Sequence, residues 1–160
     1  MLFKITEAFK TVHGISLEIL NKYKVRGLLL DLDNTLTTHD NPKPADGVLD
    51  WLANMQKNGI KLIIVSNNSH ERVKPFAQML GLEFVSKGKK PLSKGFKEAS
   101  ERMKLPLNEL AVVGDQIFTD VLGANLIRTK CFYVFPIEHE KTAFFKLKRK
   151  LEIPWLPKLK

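Results

Sequence analysis

Short, nearly unbroken apolar runs alternate in this chain with stretches whose apolar residues recur every three or four positions. The runs are Val25 to Leu32, Ile60 to Val65, Glu83 to Val85, Leu110 to Val113 and Lys130 to Phe135. Bounded runs of this kind read as buried strands of a parallel sheet. Between them the helical period takes over. Val48, Leu49, Leu52 and Met55 share one face of a helix over 46–58, with Gly59 as its stop. Further helices are predicted over 71–80, stopped by Gly81, over 93–104 and over 120–127. Ser16 is placed to cap a short helix through Leu17, Ile19 and Leu20 to Tyr23, and a last helix is predicted over 138–151, closed by Pro154 and Pro157. Strands and helices joined by short links call for an α/β fold, a parallel sheet with helices on both faces. There is no internal repeat and no low-complexity tract, so residues 1–160 are expected to form a single domain.

Composition narrows the class. Hydrophobic residues at 44% and charged residues at 27% suit a soluble globular protein. No stretch approaches the ~20 apolar residues of a membrane helix, and the N-terminus has no signal-peptide pattern. A single cysteine, Cys131, excludes an internal disulfide and fits a reducing cytoplasm. The net charge of +9 points to anionic partners, and seven basic residues against one acid, Glu152, fall between Lys141 and Lys160.

The candidate chemistry lies where strands end. Asp31 and Asp33 close the first strand, Ser66 follows the second, and Asp115 follows the fourth, with Asp120 five residues on. In open parallel sheets ligands bind at those carboxyl ends. Buried carboxylates repel one another and are costly to hold unpaired. Several of them converging require a cation, and an all-oxygen set suits Mg²⁺. A phosphoryl substrate completes the charge balance: Ser66 offers a hydroxyl, the turn after it offers backbone amides, and the loop Lys87-Gly88-Lys89-Lys90-Pro91 offers an ammonium. Taken singly, each of these is an ordinary turn or capping residue; their common location gives them weight. His13, His39, His70 and His139 have no ligand spacing and read as surface or capping residues, and Cys131 reads as core.

At these residues the chain resembles the haloacid dehalogenase superfamily of phosphohydrolases. Asp31-Leu32-Asp33-Asn34-Thr35 matches Asp-x-Asp-x-Thr, and Ser66 ends an apolar strand. A lysine stands in Lys-Lys-Pro, and Gly114-Asp115 to Asp120 matches Gly-Asp-x-x-x-x-Asp. The likeness covers about residues 25–135, and its details resemble the YqeG-type branch, which is similar to phosphatidylglycerophosphate phosphatases. It implies a three-layer Rossmann-like sandwich, strand order 5-4-1-2-3 with the predicted strands numbered along the chain. It also implies the roles. Asp31 is the nucleophile and Asp33 the general acid and base. Thr35 orients Asp33 or its loop, and Ser66 and Asn67 bind substrate. Lys90, chosen over Lys89 and Lys94 because it directly precedes proline, pairs phosphate with nucleophile. Mg²⁺ is held by Asp31, Asp115 and the carbonyl of Asp33, with Asp120 supporting the metal or Lys90.

Spacing adds a constraint. Neither the interval from Asp33 to Ser66 nor that from Ser66 to Lys90 has room for an inserted cap domain, so an open site is expected. The resemblance then favours a phosphate ester on a large substrate such as a membrane lipid; a soluble ester or phosphoprotein, and a non-catalytic basic module on RNA or an anionic surface, are the alternatives. Intact acids at all the matched positions disfavour a non-catalytic module, and a nucleic-acid partner is not expected. In the tail, Phe144, Phe145, Leu147 and Leu151 interleave with Lys146, Lys148, Arg149 and Lys150. For the helix the expectation is apolar groups packed on the sheet with lysines in water. Residues 154–160 are the better candidates for peripheral contact with the inner face of an anionic membrane.

Overall fold

The structure is a computed structural model that describes residues 1–158. Six parallel strands form one sheet. They are β1 (Glu7–Phe9), β2 (Gly27–Leu30), β3 (Lys61–Val65), β4 (Glu83–Val85), β5 (Leu110–Gly114) and β6 (Lys130–Val134), in the order β1-β6-β5-β2-β3-β4. The expected order of five strands is therefore present but incomplete. A short strand from the N-terminal region adds to the β6 edge, with Glu7 opposite Phe132 and Phe9 opposite Val134. Its three half-buried residues carry no period that a sequence reading detects.

Alternate side chains of each strand point to opposite faces. Leu28 and Leu30 of β2, with Ile64 and Val113, enter a core covered by α1 (Leu17–Lys22), α2 (Val48–Lys57) and α3 (His70–Leu80). Leu29, Ile63 and Val112 enter a second core beneath α4 (Lys94–Met103) and α5 (Leu122–Leu126). Burial on both faces explains why β2 reads as a continuous apolar run. The predicted signals hold: Ser16 accepts from the Ile19 amide at 3.2 Å, and α3 stops at Gly81 with φ 67°. Trp51 ties α2 to the preceding segment through Nε1 and the Ile15 carbonyl at 2.9 Å.

Two helix boundaries differ most from expectation. The chain turns helical at Ile117 rather than Asp120, through a wide π-type turn, Ile117–Val121, that runs into α5. The last helix, α6 (Ala143–Glu152), begins later than predicted. Residues 137–140 are held instead to Asn34, whose side chain donates to the Glu138 carbonyl at 3.1 Å and accepts from the Glu138 amide at 3.1 Å. Thr142 then caps α6 at the Phe145 amide.

α6 is also turned the other way round. Its buried residue is Glu152, and Arg149 is largely covered, whereas Phe144, Leu147 and Leu151 are 71%, 57% and 57% exposed. The expected burial of apolar groups against the sheet is overturned, because this helix lies over the carboxyl ends of the strands and its polar face meets the acids there.

Candidate functional site

The Asp31 amide bonds to the Val113 carbonyl, extending the β2–β5 pairing one residue and fixing where the acidic loop departs. Asn34 takes a left-handed φ of 62° and turns the chain so that Leu32 is buried while Asp31, Asp33 and Thr35 gather at the end of the sheet. Asp31 and Asp33 both line a cleft of about 430 Å³ together with Ser66, Asn67, Asn68 and Lys90.

Lys90 is buried and bridges two carboxylates, 2.9 Å from Asp31 Oδ1 and 2.7 Å from Asp120 Oδ1. Burial opposes its charge, but Asp120 and Asp31 outweigh that and hold the ammonium well above the usual lysine range. Lys89 and Lys94 are exposed. Asn67 fastens the lysine loop: its side chain accepts from the Lys90 amide at 2.7 Å and donates to the Lys90 carbonyl at 3.0 Å. The amide expected to meet substrate is thus engaged in positioning the lysine. Gly95 of α4 lets the same loop approach, since a Cβ there would stand 2.8 Å from the Gly88 carbonyl oxygen.

Of the two partners expected for Thr35, Asp33 or its loop, the hydroxyl meets the loop. Its hydroxyl lies 3.1 Å from Asp115 Oδ1 and 3.4 Å from Asp31 Oδ2, linking the first motif to the fourth rather than orienting Asp33. Asp33 is held by Arg72, 3.0 Å from Oδ1, and by Asn68, whose amide donates to Oδ2 at 3.0 Å. Ser66 is buried at the end of β3, and its hydroxyl accepts from the Asn68 amide at 3.0 Å.

Asp31, Asp115 and Asp120 each bring a carboxylate oxygen to within 4.8 Å of the others. Gly114 permits this, because a Cβ there would lie 2.3 Å from Asp120 Cγ. Burial, and then the neighbouring Asp31 charge, push Asp120 up to about 6 against the pull of Lys90. Burial also raises Asp115 well above the carboxylate range despite Arg149, with Asp31 and Asp120 adding to the rise. Three buried acids under this strain are a fitting donor set for a hard divalent cation. The side chain of Asp33 is not among them.

The sequence reading missed the cations and acids that support this floor. Arg149 bonds to the Asp115 carboxylate and, at 2.7 Å, to its carbonyl; it also reaches Glu140 at 2.8 Å and Glu152 at 3.1 Å. Glu152 in turn accepts from the Ile117 amide at 3.1 Å. His39, expected at the surface, is half-buried on the cleft wall with Nε2 2.8 Å from Glu140 Oε2. Arg72 and Arg149 had no motif to flag them; an arginine on a helix reads as a solvated face unless its strand-end neighbours are known.

The aspartate pair, the buried lysine and the glycine-linked acid stand at the carboxyl end of the parallel sheet, within one matched stretch of the chain. A family model for haloacid dehalogenase-like hydrolases matches residues 21–127. The chain belongs to the haloacid dehalogenase-like hydrolase family. It is 37% identical to a probable phosphatase, YqeG, of Bacillus subtilis (strain 168), over 93% of this chain and 94% of that protein. This haloacid dehalogenase-like chain is accordingly a phosphatase. Solved structures share the fold at low identity. A haloacid dehalogenase-like hydrolase from Brucella suis 1330 has a TM-score of 0.61 at 11% identity, covering 73% of this chain and 87% of its own. An uncharacterised protein from Listeria monocytogenes serotype 4b has a TM-score of 0.58 at 17% identity, covering 74% and 86%.

Proposed function

We propose that this phosphatase is a Mg²⁺-dependent phosphomonoesterase that works through an aspartyl-phosphate and acts on a membrane-lipid monoester such as phosphatidylglycerophosphate. The observation that carries the chemistry is the setting of Asp31. Its carboxylate opens onto the cleft while Lys90 and Thr35 each engage one of its oxygens.

Asp31 attacks phosphorus, and the ester P–O bond breaks as a protonated Asp33 delivers its proton to the leaving oxygen. Asp33 then takes a proton from water, the water oxygen bonds to phosphorus, and the P–O bond to Asp31 breaks, releasing inorganic phosphate and restoring both acids. Arg72 and Asn68 keep Asp33 facing the cleft throughout. Lys90 neutralises charge on the nucleophile side, and the Ser66 hydroxyl is available to a phosphate oxygen. Asp31, Asp115 and Asp120, with the Asp33 carbonyl, would hold Mg²⁺, which supplies charge neutralisation at the transferred group.

The lipid assignment rests on α6. Phe144 lines the cleft and is exposed with Leu147 and Leu151 along α6, Ile153 and Leu156 are exposed just after the helix, and Lys141, Lys146 and Lys150 are exposed in the same stretch. Apolar groups flanked by cations suit an anionic bilayer, each cation contributing about 1 kcal/mol near the surface. Of the tail residues expected to make that contact, Leu159 and Lys160 lie outside the described residues. No described helix is long and apolar enough to cross a membrane.

The test is phosphate release from p-nitrophenyl phosphate with Mg²⁺, with chelator, and in Asp31→Asn. Turnover that needs the metal and vanishes in the variant is expected; a variant as active as the wild type would remove Asp31 from the reaction. Vesicles carrying phosphatidylglycerophosphate, set against soluble phosphate esters and a phosphopeptide, then decide the substrate class.

A further inference from the structure

The cleft has a wall that the four motifs do not explain. It is built by α6, from Phe144, Phe145 and Lys148, with His39 and Asp40 beside them and Gln116 and Thr119 below. These three α6 residues are spaced as one helical face, Lys148 standing one turn after the two aromatic rings. No domain is inserted between the motifs among the described residues, and α6 supplies this wall of the cleft.

Two adjacent cations of α6 have different fates. Arg149 turns down into Asp115, Glu140 and Glu152. Lys148 is half-buried on the cleft wall, and among the described residues it makes no ion pair. Its ammonium donates instead to the amide oxygen of Gln116 at 2.8 Å, and the Thr119 hydroxyl donates to that same oxygen at 3.2 Å. The Gln116 backbone belongs to the floor, since its amide donates to Asp120 Oδ2. Its side chain thus sets the lysine at a defined position above the acids. A half-buried ammonium with no carboxylate in ion-pair contact among the described residues, fixed on the cleft wall one turn after two aromatic residues, is arranged to receive an anion from the substrate. The transferred phosphoryl already has Lys90, Ser66 and the cation site on the floor.

We propose that Lys148 is a specificity-determining residue that binds a second anionic group of the substrate, while Phe144 and Phe145 pack on the organic part that joins it to the phosphomonoester. The inference rests on the phosphatase mechanism above and deepens it. The preferred substrates are phosphomonoesters that carry a further negative charge, either a phosphodiester or a carboxylate.

The experiment measures kcat/KM for three substrates: p-nitrophenyl phosphate, phosphoglycolate, and a short-chain soluble phosphatidylglycerophosphate with dihexanoyl tails. Wild type, Lys148→Ala and Lys148→Arg are compared after thermal unfolding has shown all three folded. In Lys148→Ala the preference for the two substrates that carry a second anionic group over p-nitrophenyl phosphate falls about ten-fold, carried mainly by KM, as loss of one charge-assisted contact predicts. Lys148→Arg restores most of the preference. If only the diester substrate loses preference, the second anion is the lipid phosphodiester; if phosphoglycolate also does, any nearby anion is accepted. A preference unchanged in Lys148→Ala, or an equal fall for all three substrates, overturns the proposal and leaves the phosphatase reading intact. No turnover of any substrate by the wild type defeats that reading itself, and this inference with it.

Discussion

Asp120 shows what a carboxylate undergoes when it is sealed under a sheet end with two others. Its amide-side oxygen accepts from Gln116 and its other oxygen meets Lys90, yet burial and the Asp31 charge still raise it to about 6. The native state therefore binds this proton more tightly than the unfolded chain. The stability it contributes is full below the ordinary carboxylate value of 3.8 and is lost as pH rises through about 6. In the presence of chelator, the stability of the wild type relative to Asp120→Asn should shrink between pH 4 and pH 7, read by urea unfolding at both ends. Adding Mg²⁺ should restore more stability at the upper pH than at the lower. An advantage that stays constant with pH would mean that the buried acid does not titrate in this window. At this scale the sequence was informative wherever a residue type is chemically unusual at its position. Two acids after a buried strand, and an acid after glycine, stand out for that reason. Arg72 and Arg149 do not, because an arginine on an amphipathic helix is commonplace until its neighbours in space are known. Thr35 was legible as part of a motif, but its partners were not, since the turn at Asn34 decides which carboxylate its hydroxyl meets.

At the scale of elements, the lysine loop is held by contact of backbone on backbone. Gly95 brings α4 against Gly88, and any side chain there would meet main-chain atoms that cannot move aside: 2.8 Å to the carbonyl oxygen and 3.0 Å to Cα. Gly95→Ala is expected to destabilise the fold by about 1–3 kcal/mol, the usual cost of overpacking, and to displace Lys90 so that phosphatase activity falls further than stability does. Urea unfolding and kcat measured on the same preparation check both parts. Activity retained in full would show that the loop can shift without carrying Lys90 away. Periodicity identified the strands and most helices correctly because both faces of this sheet are covered, which leaves unbroken apolar runs. It failed for β1, three residues long, and for the orientation of α6. That helix has apolar groups at 144, 147 and 151 and polar groups at 148, 149 and 152, and a moment of this kind is normally read with the apolar side inward. Here the surface that receives it is acidic, so the polar side docks.

Over the whole molecule, the site is closed from two distant parts of the chain. Asn34 holds the 137–140 segment, and Arg149 is the shared cation of Asp115, Glu140 and Glu152. Removing one partner of a buried ionic group leaves the others uncompensated, at a cost of about 3–5 kcal/mol. Arg149→Met is expected to lose stability in that range, with a lower unfolding midpoint in urea at pH 7. A variant as stable as the wild type would show that the acids relax into water once the arginine is gone. The same closure has a consequence for synthesis. β1 is made well before its pairing partner β6, which lies more than a hundred residues downstream, at Lys130–Val134. At about 5–20 residues per second the leading strand waits roughly ten seconds beside the ribosome with an open edge. Asp115 likewise waits for Arg149, so the acidic floor reaches its final electrostatic state only once α6 has been made and docked.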